Sequence, residues 1–497
     1  MKKVIFACAA LALLSSCNLA PSYSPPRTPT PSGYKEGGES GVGWDEARPS
    51  DGARRTKWWE VYGDPALSNL EDQVQVSNQT LKADEAAYRA ARALVTEARA
   101  AYFPAVTTSP AYTAFRSSDT VRSSTIAGGT STSGGSTTTS TTTGSTSTTG
   151  GSGQLYTLPV TATYEPDLWG RIRNTVAVNA DNAQASAGDL ANARLTLQAD
   201  LAQDYFQIRA LDEEKRILDA TVTAYRQDLN VVLELFRSGI DSDEDVAQAQ
   251  SQLDTAVAQA TDLATARAQY EHAVAVLVGQ MPSGFSLAPG KFPAVPPGVP
   301  LLMPSALLQR RPDIATAERQ VAAANAQIGI ARAAYFPALD LSATAGFESS
   351  HLSQWLTWPS RFWSLGPELS ETLLDFGARK GQNQQAWAQY DQAVANYRET
   401  VLTAFQGVED NLANLRILAT EVAQRQTATD STRRYLNLAL ARFKAGIDSY
   451  LNVTTAQTAL LTNEENLVQT QLRQITASVA LVQAMGGGWS TADLPSP

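Results

Sequence analysis

Ala98-Arg99-Ala100-Ala101-Tyr102-Phe103-Pro104-Ala105 recurs letter for letter as Ala331-Arg332-Ala333-Ala334-Tyr335-Phe336-Pro337-Ala338, an offset of 233 in the numbering. Eight identical residues in order mark a duplicated unit. Two more matches follow at an offset of 207: Leu168-Trp169-Gly170 with Asp375-Phe376-Gly377, and Phe236-Arg237-Ser238-Gly239-Ile240-Asp241-Ser242 with Phe443-Lys444-Ala445-Gly446-Ile447-Asp448-Ser449. The offset falls by 26, so the first copy is longer by that amount between its first two landmarks. The tract 117–153, almost pure Ser, Thr and Gly, supplies the excess, and such a tract cannot bury a core, so it reads as an exposed loop. A repeat of this length means two pseudo-equivalent halves, 64–281 and 303–489, and not a many-unit solenoid. A Pro/Gly-rich linker, 282–302, joins them, and a tail, 490–497, follows.

Each half has the same order of elements. An Ala-rich helical stretch opens it, Asp64 to Phe103 and Met303 to Phe336, and stops at Phe-Pro because proline cannot continue a helix. Two segments follow in which apolar residues alternate with small polar ones, a strand period. They are Val106 to Phe115 and Leu155 to Tyr164, then Leu339 to Phe347 and Phe362 to Leu373. At about ten residues each they suit tilted membrane strands. A very long helical stretch comes next, Arg171 to Phe236 and Ala378 to Phe443, about 100 Å at the helical rise. Turns at Gly239 and Gly446 send the chain back along return helices, Asp243 to Val278 and Ser449 to Met485.

The first return helix carries two heptad series, Val246, Leu253, Ala260, Arg267, Val274 and Ala249, Ala256, Leu263, Tyr270, Leu277. The second adds Leu461, Val468, Ile475 and Val482. Several apolar seams on one helix suit a wall of helices with neighbours on more than one side. An ordinary bundle satisfies the same pattern.

Composition narrows the function. The 497 residues are 43% hydrophobic, enough to build cores, and beyond residue 16 no run of 18 apolar residues could form a spanning helix. With 39 basic and 49 acidic residues the formal charge is -10, which argues against nucleic acid. Two Cys and two His leave almost nothing for disulfides, zinc or Cys/His catalysis. No nucleophile elbow, Walker loop, GxGxxG repeat or paired-histidine motif is present, so the chain reads as no enzyme, with no cofactor and no metal. Asp241, Asp243, Glu244 and Asp245 lack the glycine and distal glutamate of a calcium loop and read as first-turn acids of a helix.

Lys2 and Lys3 before the apolar run Val4 to Leu14 read as a signal peptide, 1–16. It ends Leu14-Ser15-Ser16-Cys17, which resembles a lipobox, so Cys17 is the expected lipidation site. Asn18 after it favours outer-membrane sorting by the same resemblance. Residues 17–63, rich in Pro, Gly, Ser and charge, read as a lipid-anchored extended segment. Four strands cannot close a membrane barrel, which needs about eight, and open edges are not tolerated in lipid. If these strands lie in a membrane, several copies must share one barrel.

Taken together, these residues resemble the outer membrane factor family, the TolC-like, NodT-type efflux lipoproteins. The resemblance rests on Cys17 with Pro21 and Tyr23, Trp58-Trp59, Asp64-Pro65, the twin Tyr-Phe-Pro ends, Asp167-Leu168-Trp169-Gly170-Arg171 and Leu374-Asp375-Phe376-Gly377. The two Gly-Ile-Asp-Ser turns and Ala484-Met485-Gly486-Gly487-Gly488-Trp489 complete it. It implies an α+β membrane protein: a homotrimer with a shared 12-stranded β-barrel in the bacterial outer membrane, continued by a long α-helical barrel in the periplasm. It implies two partners, a periplasmic adaptor and an inner-membrane transporter, and a passive duct for small molecules such as drugs. A lipid-anchored coiled-coil scaffold or adhesin, or a duct for protein or polysaccharide, are the competing readings.

The resemblance makes Arg237, Gly239, Asp241 and Ser242, with Lys444, Gly446, Asp448 and Ser449, the adaptor-docking tips. A well-made helical turn with no partner needs the same residues. Some members of the family close the duct near the tips with aspartates. The matching positions here are Leu436 and Leu440, with Leu229 and Leu233 in the first half, which implies an apolar gate; ordinary inter-helix core is the other reading. Aromatics at a membrane interface account for Trp355, Trp358 and Trp363 near His351.

Overall fold

The computed structural model describes residues 18–28, 33–36, 57–116, 152–293, 295–298 and 310–488. The expected signal peptide, Cys17, most of the Ser/Thr/Gly loop, the start of the second opening helix, Trp489 and the tail lie outside the described residues. Among the described residues seven α-helices and five strands follow in order: α1 (Pro65–Ser77), α2 (Gln79–Ala100), β1 (Ala105–Thr108), β2 (Ala111–Arg116), β3 (Ser152–Tyr164), α3 (Arg171–Arg237), α4 (Asp243–Leu277), α5 (Pro312–Ala333), β4 (Ala338–Ser349), β5 (Arg361–Ser370), α6 (Ala378–Lys444) and α7 (Tyr450–Ala484). The two longest, α3 and α6, have 67 residues each, and α4 and α7 have 35 each. No described helix is long and apolar enough to cross a membrane.

The single helix expected from Asp64 to Phe103 is two helices. Asp64 caps α1, its carboxylate accepting from Ala66 N at 2.8 Å and Leu67 N at 3.3 Å, with Pro65 in the first turn. Asn78 then leaves the helix at φ -61°, ψ 128°. Its side-chain oxygen accepts from Leu81 N at 3.0 Å and its amide donates to Leu277 O at 2.8 Å. One asparagine thus starts α2 and satisfies a carbonyl at the end of α4, a bond that competes with helix continuation.

The first expected strand is also broken, between β1 and β2 at Ser109-Pro110. Proline cannot donate to a ladder, and the gap lies opposite Leu158-Pro159 of β3. The sheet is antiparallel throughout, in the order β1/β2, β3, β4, β5. Its register carries the duplication. Ala105 opposes Thr163 in the first half, and Ala338 opposes Ser370 in the second. The first strand of each pair thus keeps the offset of the Tyr-Phe-Pro landmarks, and the second keeps that of the Gly-Ile-Asp-Ser landmarks.

The chain forms two compact units, and neither is one of the repeats. The first contains the described residues of 96–174 and 329–383 with 18–19; the second contains those of 20–95, 175–328 and 384–488. The reason is the pairing of β3 from the first repeat with β4 from the second, which makes one sheet from both.

The helical unit has two cores. One gathers Trp59, Leu67, Tyr205, Phe206, Val401, Ile475 and Leu481 with many neighbours. The other gathers Tyr225, Val232, Ala249, Leu253, Phe443, Tyr450 and Val453. The heptad residues Ala249, Leu253, Ala256, Ala260 and Val274, and Leu461, Val468, Ile475 and Val482, are buried.

Candidate functional site

The β unit separates its two faces through the middle of the sheet, while Phe115, Leu155 and Phe362 on one face and Gln154, Arg116 and Arg361 on the other break the pattern towards one end. Leu158, Val160 and Ala162 of β3 stand opposite Phe347, Ala345 and Ala343 of β4, and the two alanines stand opposite Trp363 and Leu365 of β5. The alternate positions carry Thr157, Thr161, Thr163, Ser342, Thr344, Ser364, Asp340 and Glu368. Thr161 and Thr344 meet across the ladder, oxygen to oxygen, at 3.2 Å. A period of two thus gives one apolar and one polar face. Val106, Tyr112, Val160, Trp363, Leu365 and Leu369 on the apolar face are exposed, and among the described residues β1/β2 and β5 have no further strand partner. In water such a face with such edges is an aggregation template.

The long helices are entered through carboxylate caps. Asp167 accepts from Ile172 N and Arg173 N, both at 3.0 Å, and pairs with the Arg173 guanidinium. Asp375 accepts from Gly377 N at 3.0 Å and Arg379 N at 3.1 Å. Arg379 Nε donates to Asp375 at 2.7 Å, and this hydrogen bond, with the two backbone donors, holds the carboxyl down at about 2. Beside the first cap Trp169 stacks on Phe336 with centroids 4.6 Å apart, and its indole donates to Pro337 O at 2.8 Å.

At the far ends of the long helices the two Gly-Ile-Asp-Ser turns have one backbone design. Gly239 N donates to Phe236 O at 2.9 Å and Ile240 N to Leu235 O at 2.9 Å; Gly446 N donates to Phe443 O at 2.8 Å and Ile447 N to Arg442 O at 3.0 Å. These paired bonds form a Schellman motif and need the left-handed φ of 75° at Gly239 and 69° at Gly446. The isoleucine that usually folds back on the helix in this motif is exposed in both turns. Arg237, Ser242, Lys444 and Ser449 are exposed too, while Asp241 and Asp448 are half-buried.

The side chains of the two turns differ. Ser242 and Asp245 form a reciprocal capping box. Ser449 makes no side-chain cap bond; Asp448 instead binds the Arg442 guanidinium, which draws its carboxyl below the usual range. The first turn has Leu235 where the second has Arg442, and Asp241 keeps one carboxylate oxygen buried without a partner.

Behind the turns lie the four leucines. Leu229 is buried, and Leu233, Leu436 and Leu440 pack half-buried against the second core. The hairpins are tied there by polar bonds, Gln457 to Asp228 at 2.5 Å and Gln252 to Thr458 at 2.9 Å. Burial pushes the Asp228 carboxyl up despite its bond to Gln457. His351 and Trp358 are exposed near the β4–β5 connection, where Trp355 is half-buried and Arg361 lies over Trp358. His272 is exposed on α4. Among the described residues no group of His, Cys, Asp and Glu is arranged to hold a metal ion.

Two features escape a reading of the sequence. Arg267, placed on an apolar seam by its spacing, is the hub of an ionic cluster. It binds Asp212 at 2.8 Å, Glu271 at 3.0 Å and Leu287 O at 2.6 Å, while Arg209 binds Asp212 at 3.1 Å and Ala288 O at 2.8 Å. The cluster fastens the Pro/Gly linker to α3 and α4.

The second feature is a rail for the segment after Cys17. In the β unit Arg332 donates to Leu19 O at 3.1 Å; in the helical unit Asn325 donates to Pro21 O at 2.9 Å and Tyr23 OH donates to Glu318 O at 3.2 Å. Glu318, Asn325 and Arg332 recur at heptad spacing on α5, a polar stripe that was the available signal. Further on, Lys35 N and Glu36 N donate to the Glu409 carboxylate at 2.8 and 2.9 Å.

An open antiparallel sheet with an exposed apolar face, together with helical hairpins about 100 Å long at the helical rise, suits a class, the outer-membrane ducts. Comparison with known proteins agrees. The family profile of outer membrane efflux proteins matches residues 70–280 and 303–487, and the chain belongs to that family. It is 31% identical to the solvent efflux pump outer membrane protein SrpC of Pseudomonas putida over 489 residues, 97% of each chain. It is 28% identical to the pyoverdine export outer membrane protein OpmQ of Pseudomonas aeruginosa, again over 97% of each. Among solved structures it matches the outer-membrane channel OprN with a TM-score of 0.83 and 26% identity, over 95% of this chain and all of that one. The Campylobacter jejuni CmeC outer membrane channel gives 0.81 at 22% identity, over 96% of each. The protein is an outer-membrane efflux channel component, and the family is one of ducts, not of enzymes.

Proposed function

We propose that three copies of this chain form the passive exit duct of a tripartite pump, sharing a twelve-stranded β-barrel and an α-helical barrel. The observation that carries this is the sheet of the β unit, with one exposed apolar face, one polar face and two unpaired edges. No such sheet is stable alone in lipid, and closure through sister copies removes both edges at once. Cys17 carries the lipid anchor. The extended segment after it is held along α5 by the rail of Arg332, Asn325 and Glu318.

The turns around Gly239 and Gly446, with their exposed Arg237, Ile240, Lys444 and Ile447, dock a periplasmic adaptor, and the inner-membrane transporter behind it supplies the energy. Leu229, Leu233, Leu436 and Leu440 form an apolar gate; three of them are only half-buried in a single copy, which leaves surface to face a lumen. The cargo is small toxic organic compounds, a reading favoured by relatives named for solvent, toluene and antibiotic efflux. The test is purified protein in planar bilayers. Stepwise ionic conductance is expected, and a stably inserted protein that never conducts would refute the duct in favour of a scaffold.

A further inference from the structure

The two free edges of the sheet carry a register of their own. We infer that they are the two sides of one seam: β5 of one copy pairs with β1 and β2 of the next so that Leu365 opposes Ala114 and Trp363 opposes Arg116, while Phe376 lies on Phe103. This rests on the oligomeric reading above and deepens it, because it fixes which residues meet.

The duplication supplies the argument. Ala105↔Thr163 in the first hairpin and Ala338↔Ser370 in the second are related by an offset of 233 on one strand and of 207 on the other, so the two offsets hold to the residue within the sheet. The junction between repeats is seen once inside the chain, at β3–β4, where Leu158 opposes Phe347 and Tyr156 opposes Ser349. The next junction round a closed ring is the same joint advanced by one repeat. Shifting the β3 residues forward by 207 and the β4 residues back by 233 turns those pairs into Leu365–Ala114 and Trp363–Arg116.

Three independent observations agree. Leu365 and Ala114 both stand on the apolar face, whereas a slip of one residue would set Leu365 against Thr113 or Phe115 of the other face. Trp363 is 78% exposed in a single copy, and an arginine opposite it supplies a cation for its ring. The strand-to-helix joint repeats the pattern. Trp169 stacks on Phe336 inside the chain, and the same offsets convert that pair to Phe376 and Phe103. These two are 93% and 72% exposed, and Phe376 is held at φ 49°, a strained conformation for a non-glycine residue that presents its ring outward.

The experiment is oxidative crosslinking of the full-length protein in its membrane. Ala114→Cys with Leu365→Cys is expected to give covalent dimers and trimers, since opposed strand residues lie within disulfide reach. Ala114→Cys with Leu369→Cys, about 13 Å out of register, is expected to give none. The single variants control for Cys17. Crosslinking of the shifted pair in preference, or of neither pair in a protein that light scattering shows to be trimeric, overturns the register and leaves the trimer standing. A monomer by light scattering overturns both. Phe376→Ala and Phe103→Ala should weaken the oligomer no more together than singly, because each removes the same contact; additive losses would overturn the stack.

Discussion

Replacing Glu71 with glutamine is expected to stabilise the protein at neutral and alkaline pH and to leave it unchanged in acid. Glu71 lies on α1 among Leu67, Leu70 and Val74, fully buried, with neither carboxyl oxygen hydrogen-bonded. Burial, with a smaller contribution from Asp72, raises its pKa from 4.5 to about 9. The folded chain therefore keeps this proton across a pH range in which the unfolded chain has lost it. Stability that is complete below the unfolded value drains away as pH climbs towards 9. At 1.36 kcal/mol per unit, the loss from pH 5.5 to pH 8.5 is about 4 kcal/mol per chain. Glutamine is neutral throughout and similar in size, so it removes the slope without opening a cavity. Guanidinium unfolding in detergent, followed by circular dichroism over that pH range, measures it. The curves of wild type and Glu71→Gln should converge in acid and separate with rising pH; parallel curves would refute the reasoning, because they would mean that Glu71 ionises freely in the fold.

Two further outcomes follow from the helical unit. Arg267→Leu completes an apolar heptad on paper, yet it removes one of the two arginines on the buried Asp212 and the donor to Glu271 and Leu287 O, so the protein should lose about 1–3 kcal/mol of stability in the same assay. Leu436→Ser with Leu440→Ser should raise single-channel conductance in planar bilayers by wetting the constriction, at a cost of about 1–2 kcal/mol of stability per leucine; unchanged conductance would make these leucines core and not gate.

The sequence carries the long-range plan and hides local exceptions. The Gly-Ile-Asp-Ser pairs locate both turns because a left-handed glycine is a hard steric requirement and leaves a mark in any sequence. The strand period locates the sheet, and the twin offsets agree with its register to the residue. Asn78 is invisible because the bond that ties it to Leu277 reaches across the fold. Arg267 is misplaced for the same reason: spacing says which face a residue occupies, not what waits there. Pro110 and Pro159 mark weak points in their strands, but only the pairing shows them side by side, sharing a single interruption. The rail at Glu318, Asn325 and Arg332 looks like a solvated stripe, since two of its three contacts are to backbone carbonyls, those of Pro21 and Leu19, and only Tyr23 brings a side chain to it.

The matching hairpin registers have an evolutionary consequence. A part that docks onto its own duplicate through the same joint each time can build a closed wall from six separate molecules as well as from three fused pairs. Fusion frees the two versions to specialise while the ring stays intact. The turns record that freedom, one holding its bend with a serine-aspartate clasp and the other with an arginine-aspartate bridge. In the proposed trimer a partner approaching these turns would meet two alternating kinds of surface, where a ring of identical half-length chains would present only one.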